Sequence, residues 1–189
     1  VVAVAAAGGA DSGSRSQSRA AANLRIRWQG ANPDVTLERA GAASTRLNFF
    51  IGRDPSRWRR NVTAYSEVAY RRLYPGIDLL LTGAGGSLQG SYVVAPAADP
   101  MHIRWRVSGA RQYRIDAGGA LALRLENNQT VTEEAPFAWQ VVDGRRIPVE
   151  VGLHLYRDGS IGYVLPHGYD PARSLVIAPR LTYATYFGG

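Results

Sequence analysis

Residues Phe137–Leu165, FAWQVVDGRRIPVEVGLHLYRDGSIGYVL, read as four short strands folded back on one another. Phe137–Val142 and Ile147–Val151 flank Asp143-Gly144, while Leu153–Arg157 and Ile161–Leu165 flank Asp158-Gly159. Asp-Gly suits the mirror-image two-residue turns, whose backbone twist matches that of the strands they join. Just upstream, Asp116-Ala117-Gly118-Gly119 separates Gln112–Ile115 from Leu121–Leu125 in the same manner.

The pattern extends outward to the N-terminus. In LRIRWQ, Leu24, Ile26 and Trp28 alternate with Arg25, Arg27 and Gln29, the period-two signature of a strand with one dry face. His102–Val107 repeats it, with Ile103, Trp105 and Val107 opposed to His102, Arg104 and Arg106. Val35/Leu37, Thr45–Ile51, Ile77–Thr82 and Leu88–Ala95 read as further strands, and Tyr65–Tyr70 as strand or helical turn. No segment carries a helical apolar stripe. Short strands separated by regular turn signals predict an all-β fold with little or no helix, an antiparallel β-sandwich or open barrel built from hairpins.

A chain of 189 residues suffices for one domain with a sizeable core. Residues 24–189 are read as that domain. Residues 1–23 are read as an apolar strand, VVAVAAA, followed by a linker of Gly/Ser/Ala-rich composition. The VVAVAAAGG start lacks a basic n-region and a full apolar h-region, so a processed product or an excerpt of a longer protein is expected.

All 22 basic residues are Arg, and the net charge is +7. High-GC composition accounts for much of this, yet guanidinium stacks on aromatics and pairs bidentately with carboxylate or phosphate. Acidic partners are therefore favoured, anionic polysaccharide first. Cysteine is absent, which removes disulfides, thiol nucleophiles and thiolate metal sites. His102, His154 and His167 lack metal-ligand spacing, no G-x-S-x-G elbow occurs, and Glu133-Glu134 point to opposite faces of a strand. Neither a catalytic residue nor a metal or cofactor is expected, and no specific nucleic-acid motif is present.

Leu47–Leu81 gathers the most patterned and most charged features of the chain. Asp54-Pro55 and Tyr74-Pro75-Gly76 supply turn chemistry. Asp78, in a run that is otherwise apolar, needs a partner, which Arg71 or Arg72 would provide as a structural bridge. Between them lies Arg57-Trp58-Arg59-Arg60, the candidate binding loop: a Trp in a loop among cations can stack on sugar rings while the arginines hold anions. A Trp58 folded over the sheet would instead be a lid. Trp28, Trp105 and Trp139 each share a strand face with aliphatic residues and read as core.

Asn48-x-Phe50-Ile51-Gly52-x-Asp54-Pro55-x-x-Trp58, Tyr74-Pro75-Gly76-Ile77-Asp78-Leu79, Val93-Val94-Ala95-Pro96 and Ala98-Asp99-Pro100 follow in order, and Tyr169-Asp170-Pro171 and Leu175-Val176-Ile177-x-Pro179 come later. Together they resemble the N-terminal domain of unknown function of bacterial secreted proteins with SBBP-type β-propeller repeats. The resemblance implies an extracellular or cell-surface β-domain placed before repeats, and no catalytic residues. Where such relatives have Leu-Glu-Tyr-Asp-Phe, this chain has Leu88-Gln89-Gly90-Ser91-Tyr92. Two terminal strands complete the expectation: Val1, Val2 and Val4 on a tether, and Leu181, Tyr183 and Phe187 at the other end. A tethered strand fills an open sheet edge on a neighbour, so a structural or adhesive module that self-associates into oligomers or filaments is expected. Binding of anionic or sugar polymers, and a scaffold role within a repeat protein, are the alternatives.

Overall fold

A computed structural model describes residues 2–6, 22–49, 59–84, 87–126, 128, 130–180 and 185–186. Fifteen strands and one 3₁₀ turn make up the described elements. They are β1 (Val2–Ala6), β2 (Ala22–Trp28), β3 (Thr36–Phe49), β4 (Arg59–Tyr74), β5 (Ile77–Ala84), β6 (Ser87–Val94), β7 (Arg104–Ser108) and β8 (Ala110–Ile115). After these come β9 (Leu121–Leu125), β10 (Thr130–Val142), β11 (Arg145–Val149), β12 (Gly152–Leu155), β13 (Ile161–Val164), β14 (Leu175–Arg180) and β15 (Thr185–Tyr186). Two antiparallel sheets result, a β-sandwich rather than a closed barrel: six strands in the order β12-β13-β7-β2-β1-β15, and nine in the order β3-β4-β5-β6-β14-β10-β9-β8, with β11 added to β10.

The Asp-Gly turns lie where their chemistry puts them. Asp143 and Gly144 both hold positive φ, 49° and 74°, between the paired Val142 and Arg145. In the β12–β13 hairpin Gly159 has φ 78°. Two short strands expected around Leu37 and Leu47 form instead the single strand β3, and Tyr65–Tyr70 lies inside the long strand β4. β3 and β4 pair across their length with register shifts, so backbone pairing overrides the weak local pattern of Arg39–Ser44.

Alternation places one face of β2, β5, β6, β7 and β9 inward. Leu24, Trp105, Ile161 and Tyr163 of the six-stranded sheet meet Leu79, Tyr92, Val94, Leu121, Leu125 and Ile177 of the other. Tyr163 packs against Trp105 on its own sheet and edge-on against Tyr92 across the core, with ring centroids 5.2 and 5.8 Å apart. β10 keeps its dry face through a bulge between Glu134 and Phe137, so that Glu133, Ala138 and Gln140 all point inward.

The Tyr74-Pro75-Gly76-Ile77 turn ties the sheets together. Gly76 sits at φ +69°, as the third position of a type II turn requires, and a Cβ there would come within 2.7 Å of the Ala98 Cβ. The buried Tyr74 hydroxyl lies 3.0 Å from the Gln29 carbonyl and 2.9 Å from that of Arg104, both on the opposite sheet. Asp78, next along, accepts Nη1–H of Arg71 at 2.9 Å and the Arg72 backbone N–H at 2.7 Å, while Arg71 Nε reaches Glu38. These are structural contacts that pin the bulge at Arg72, where φ is 56°.

The later motifs also serve the fold. Gln140, buried, donates to the carbonyl of Asp170 at 2.8 Å and accepts from its N–H at 2.9 Å, holding the Tyr169-Asp170-Pro171 loop. The Tyr169 hydroxyl donates to the Ala98 carbonyl, and Asp99 caps the 3₁₀ turn Pro100–His102 through the Met101 N–H. Replacing Tyr74 by Phe should cost about 1–3 kcal/mol by removing the single hydroxyl proton that serves the Gln29 and Arg104 carbonyls, of which that of Arg104 still accepts the Gln29 N–H. Gly76→Ala should cost a similar amount through left-handed strain and the Ala98 contact, again about 1–3 kcal/mol. Urea titration checks both.

Candidate functional site

Two places on the six-stranded sheet concentrate unusual chemistry, and β2 belongs to both. One is its edge, where the first and last described strands meet. β1 lies between β2 and β15, with Val2 opposite Ile26, Val4 opposite Leu24 and Ala6 opposite Ala22. On its far side Ala5 and Ala6 face Tyr186 and Thr185 of β15. Of the residues expected to exchange between copies, Val2 and Val4 thus occupy β1. Val1, Leu181, Tyr183 and Phe187 lie outside the described residues.

The other place lies behind β2, between the sheets. Ile26 and Trp28 of β2, Leu79, Leu81, Tyr92, Trp105 and Tyr163 line a half-enclosed cavity of about 40 Å³ together with Glu133. Trp28 Nε1–H donates to the Tyr92 hydroxyl at 2.8 Å. Glu133 is only 5% exposed and has no hydrogen-bond or ion-pair partner among the described residues. Burial pushes its carboxyl up to about 7. Burial likewise raises the Tyr92 and Tyr163 hydroxyls, which stay protonated. Glu133 is the cavity's single carboxyl, without a second acid or a nucleophile in its lining, so the arrangement can hold or release one proton. Glu134 is exposed on the opposite face, as adjacent residues of one strand must be.

Little in the sequence warns of Glu133, because the TVTEE run, Thr130–Glu134, has no apolar pattern. The signal is its pairing: Val131 opposite Leu123 and Glu133 opposite Leu121, which extends the dry face of β9. Trp139 departs from its expected core position. On the outer face of β10 it stacks on Phe137, with centroids 5.2 Å apart and planes at 15°, and the Arg146 guanidinium lies 4.8 Å from its ring. The bulge before Phe137 causes this: it turns Ala138 and Gln140 inward and leaves Trp139 on the other face.

Of the expected Arg/Trp binding loop, Arg59 and Arg60 open β4, whereas Arg57 and Trp58, like Asp54 and Pro55, lie outside the described residues. The histidines stand in separate elements: His102 in the 3₁₀ turn, His154 edge-on to Tyr156, and His167 with Nε2 3.1 Å from Glu150. Among the described residues no helix is long and apolar enough to cross a membrane.

A family model described as Domain of unknown function (DUF7948) matches residues 3–180. The chain belongs to this family. The match takes in most of β1 as well as the sandwich, so both lie within the family's domain. Comparison with curated proteins and with solved structures gives no match.

Glu133 makes the stability of this DUF7948 domain pH-dependent. A carboxyl whose folded-state pKa lies above its unfolded value stabilises fully below the unfolded value, near 4.5, and the contribution is lost as pH rises through about 7. Chemical denaturation should show about 3 kcal/mol less stability from this group at pH 8 than at pH 4, since each tenfold change in proton affinity is worth about 1.4 kcal/mol. Glu133→Gln should remove that slope and leave the variant at least as stable as the parent at pH 8. Equal pH slopes for the two proteins would refute the assignment.

Proposed function

We propose that this domain is a non-catalytic structural or adhesive module of the bacterial exterior that joins copies of itself through its terminal strands. The observation that carries the reading is the place of β1. It fills a slot between β2 and β15, and residues 7–21, fifteen residues of Gly/Ser/Ala-rich composition, separate it from β2.

Every pair that β1 makes within its own chain is equally available to the β1 of a neighbour. Exchange therefore creates no new register and loses no ladder bond; its cost is association entropy. A Gly/Ser-rich chain of fifteen residues spans roughly 20 Å on average, enough for a strand on such a tether to reach an adjoining sheet. Each copy carries one donor strand and one slot, so the contact is head-to-tail and grows into filaments unless a ring closes. The resemblance to domains that precede β-propeller repeats supports the extracellular setting and the scaffold variant of the same reading, in which β1 and β15 stay paired within one long chain.

Electron microscopy and light scattering of the full chain over a range of concentrations test the proposal. Concentration-dependent oligomers or filaments are expected. Val4→Pro, which removes a ladder donor from β1, and deletion of residues 1–21 should both abolish them. A synthetic VVAVAAA peptide should bind the truncated domain one to one without restoring growth. A full chain that stays monomeric at every concentration would overturn strand exchange.

A further inference from the structure

The outer face of the six-stranded sheet carries more positive charge than its described acids answer. Arg25 and Arg27 of β2 and Arg104 and Arg106 of β7 project from two adjacent strands, and Arg27 stands directly opposite Arg106 in register. Like charges opposed across a strand pair destabilise a sheet. One acid answers them. Asp158 lies 3.3 Å from both Arg104 Nη2 and Arg106 Nη2. It also accepts the Ser160 hydroxyl and N–H, and these hydrogen bonds, ahead of the nearby guanidinium groups, hold its carboxyl down at about 2. Asp158 is thus a permanent anion, yet it leaves the four arginines with a net charge of +3. Arg25 and Arg27 have no ion-pair partner among the described residues, and both are exposed.

From this geometry we infer that the β2–β7 face binds a carboxylated polysaccharide laid across the strands. Guanidinium groups at the spacing of a sheet, about 4.8 Å between strands and about 6.6 Å along one, form a flat grid rather than a pocket. An extended polymer with a carboxylate on each sugar meets such a grid repeatedly: Arg25 and Arg27 offer a carboxylate a two-pronged hydrogen bond, and Arg106, shared with Asp158, adds charge beside them. A nucleobase finds little to stack on here: Tyr156 carries the Arg104 guanidinium 3.6 Å from its centroid, and its ring edge lies near Gly162, where a Cβ would meet Cε2 at 3.1 Å, while His154 lies edge-on to it. The ring face carrying Arg104 is thereby closed to stacking. At its edge the grid runs onto β1, where Ala3 stands opposite Arg25, so no further acid enters the strand row there.

This surface is independent of strand exchange, and it is tested on the full chain by equilibrium binding to alginate and polygalacturonate at low salt, with dextran as the neutral control. Binding to both acidic polymers and not to dextran is expected. The double variant Arg27→Ala/Arg106→Ala should bind about tenfold or more weakly, the scale of one or two charge-assisted hydrogen bonds. Its resistance to urea should be unchanged or higher, since a repulsive pair has gone. Arg114→Ala/Arg124→Ala, which removes the same charge from β8 and β9, should bind as the parent does. Equal weakening by both double variants would reduce the effect to net charge and overturn the site. Tighter binding of single-stranded poly-dT than of alginate would replace the polysaccharide by nucleic acid. No binding to either acidic polymer would overturn the inference outright, whatever the assembly state of the chain.

Discussion

The hydroxyl of Tyr74 holds the two sheets at a fixed offset. It reaches the residue after β2 through Gln29 and the first residue of β7 through Arg104, and it does so from the interior, where a carbonyl left without a donor costs about 1–3 kcal/mol. The Pro75-Gly76 turn that follows allows no rotation of this tyrosine relative to β5, because Pro75 restricts one dihedral and Gly76 is pressed against Ala98. With that corner set, Trp28 lies against Tyr92 and Trp105 against Tyr163, and the aromatic centre of the sandwich is defined.

The same centre encloses the least favourable group in the molecule. An apolar residue in place of Glu133 would complete the row made by Leu121, Leu123 and Leu125, yet the chain places a carboxyl there with neither a cation nor a donor among the described residues. Burial of such a group is tolerated through protonation rather than through pairing. Through this group the fold gains stability while Glu133 is protonated and loses it once the carboxyl ionises. β2 walls this cavity and also receives β1, so the terminal strand and the carboxyl act on the same part of the sheet.

Unpaired arginines occur on both sheets, but among the described residues only the β2–β7 pair sets two arginines directly opposite in register. On the nine-stranded sheet Arg71 is answered by Glu38 and Asp78 and Arg146 by the ring of Trp139, while Arg114 and Arg124 have no ion-pair partner among the described residues. On the six-stranded sheet Arg25 and Arg27 have no ion-pair partner among the described residues, and Arg106 shares one carboxylate with Arg104.

By itself the sequence determined the class of fold, most of its strands and its turns. Period-two alternation in Leu24–Trp28 and Leu121–Leu125 and the Asp-Gly pairs are local signals, and local sterics enforce them wherever the chain goes. The need of Asp78 for an arginine was legible for the same reason, since burial of a lone carboxylate is costly in any fold. Tertiary structure alone decided what depends on pairing between distant segments. That β1 stands between β2 and β15, that Glu133 is carried inward by Leu121, that a bulge turns Trp139 outward, and that Arg27 meets Arg106 are all matters of register. A shift of one residue reverses every side chain of a strand, and register is set by contacts dozens of residues apart that no local pattern encodes.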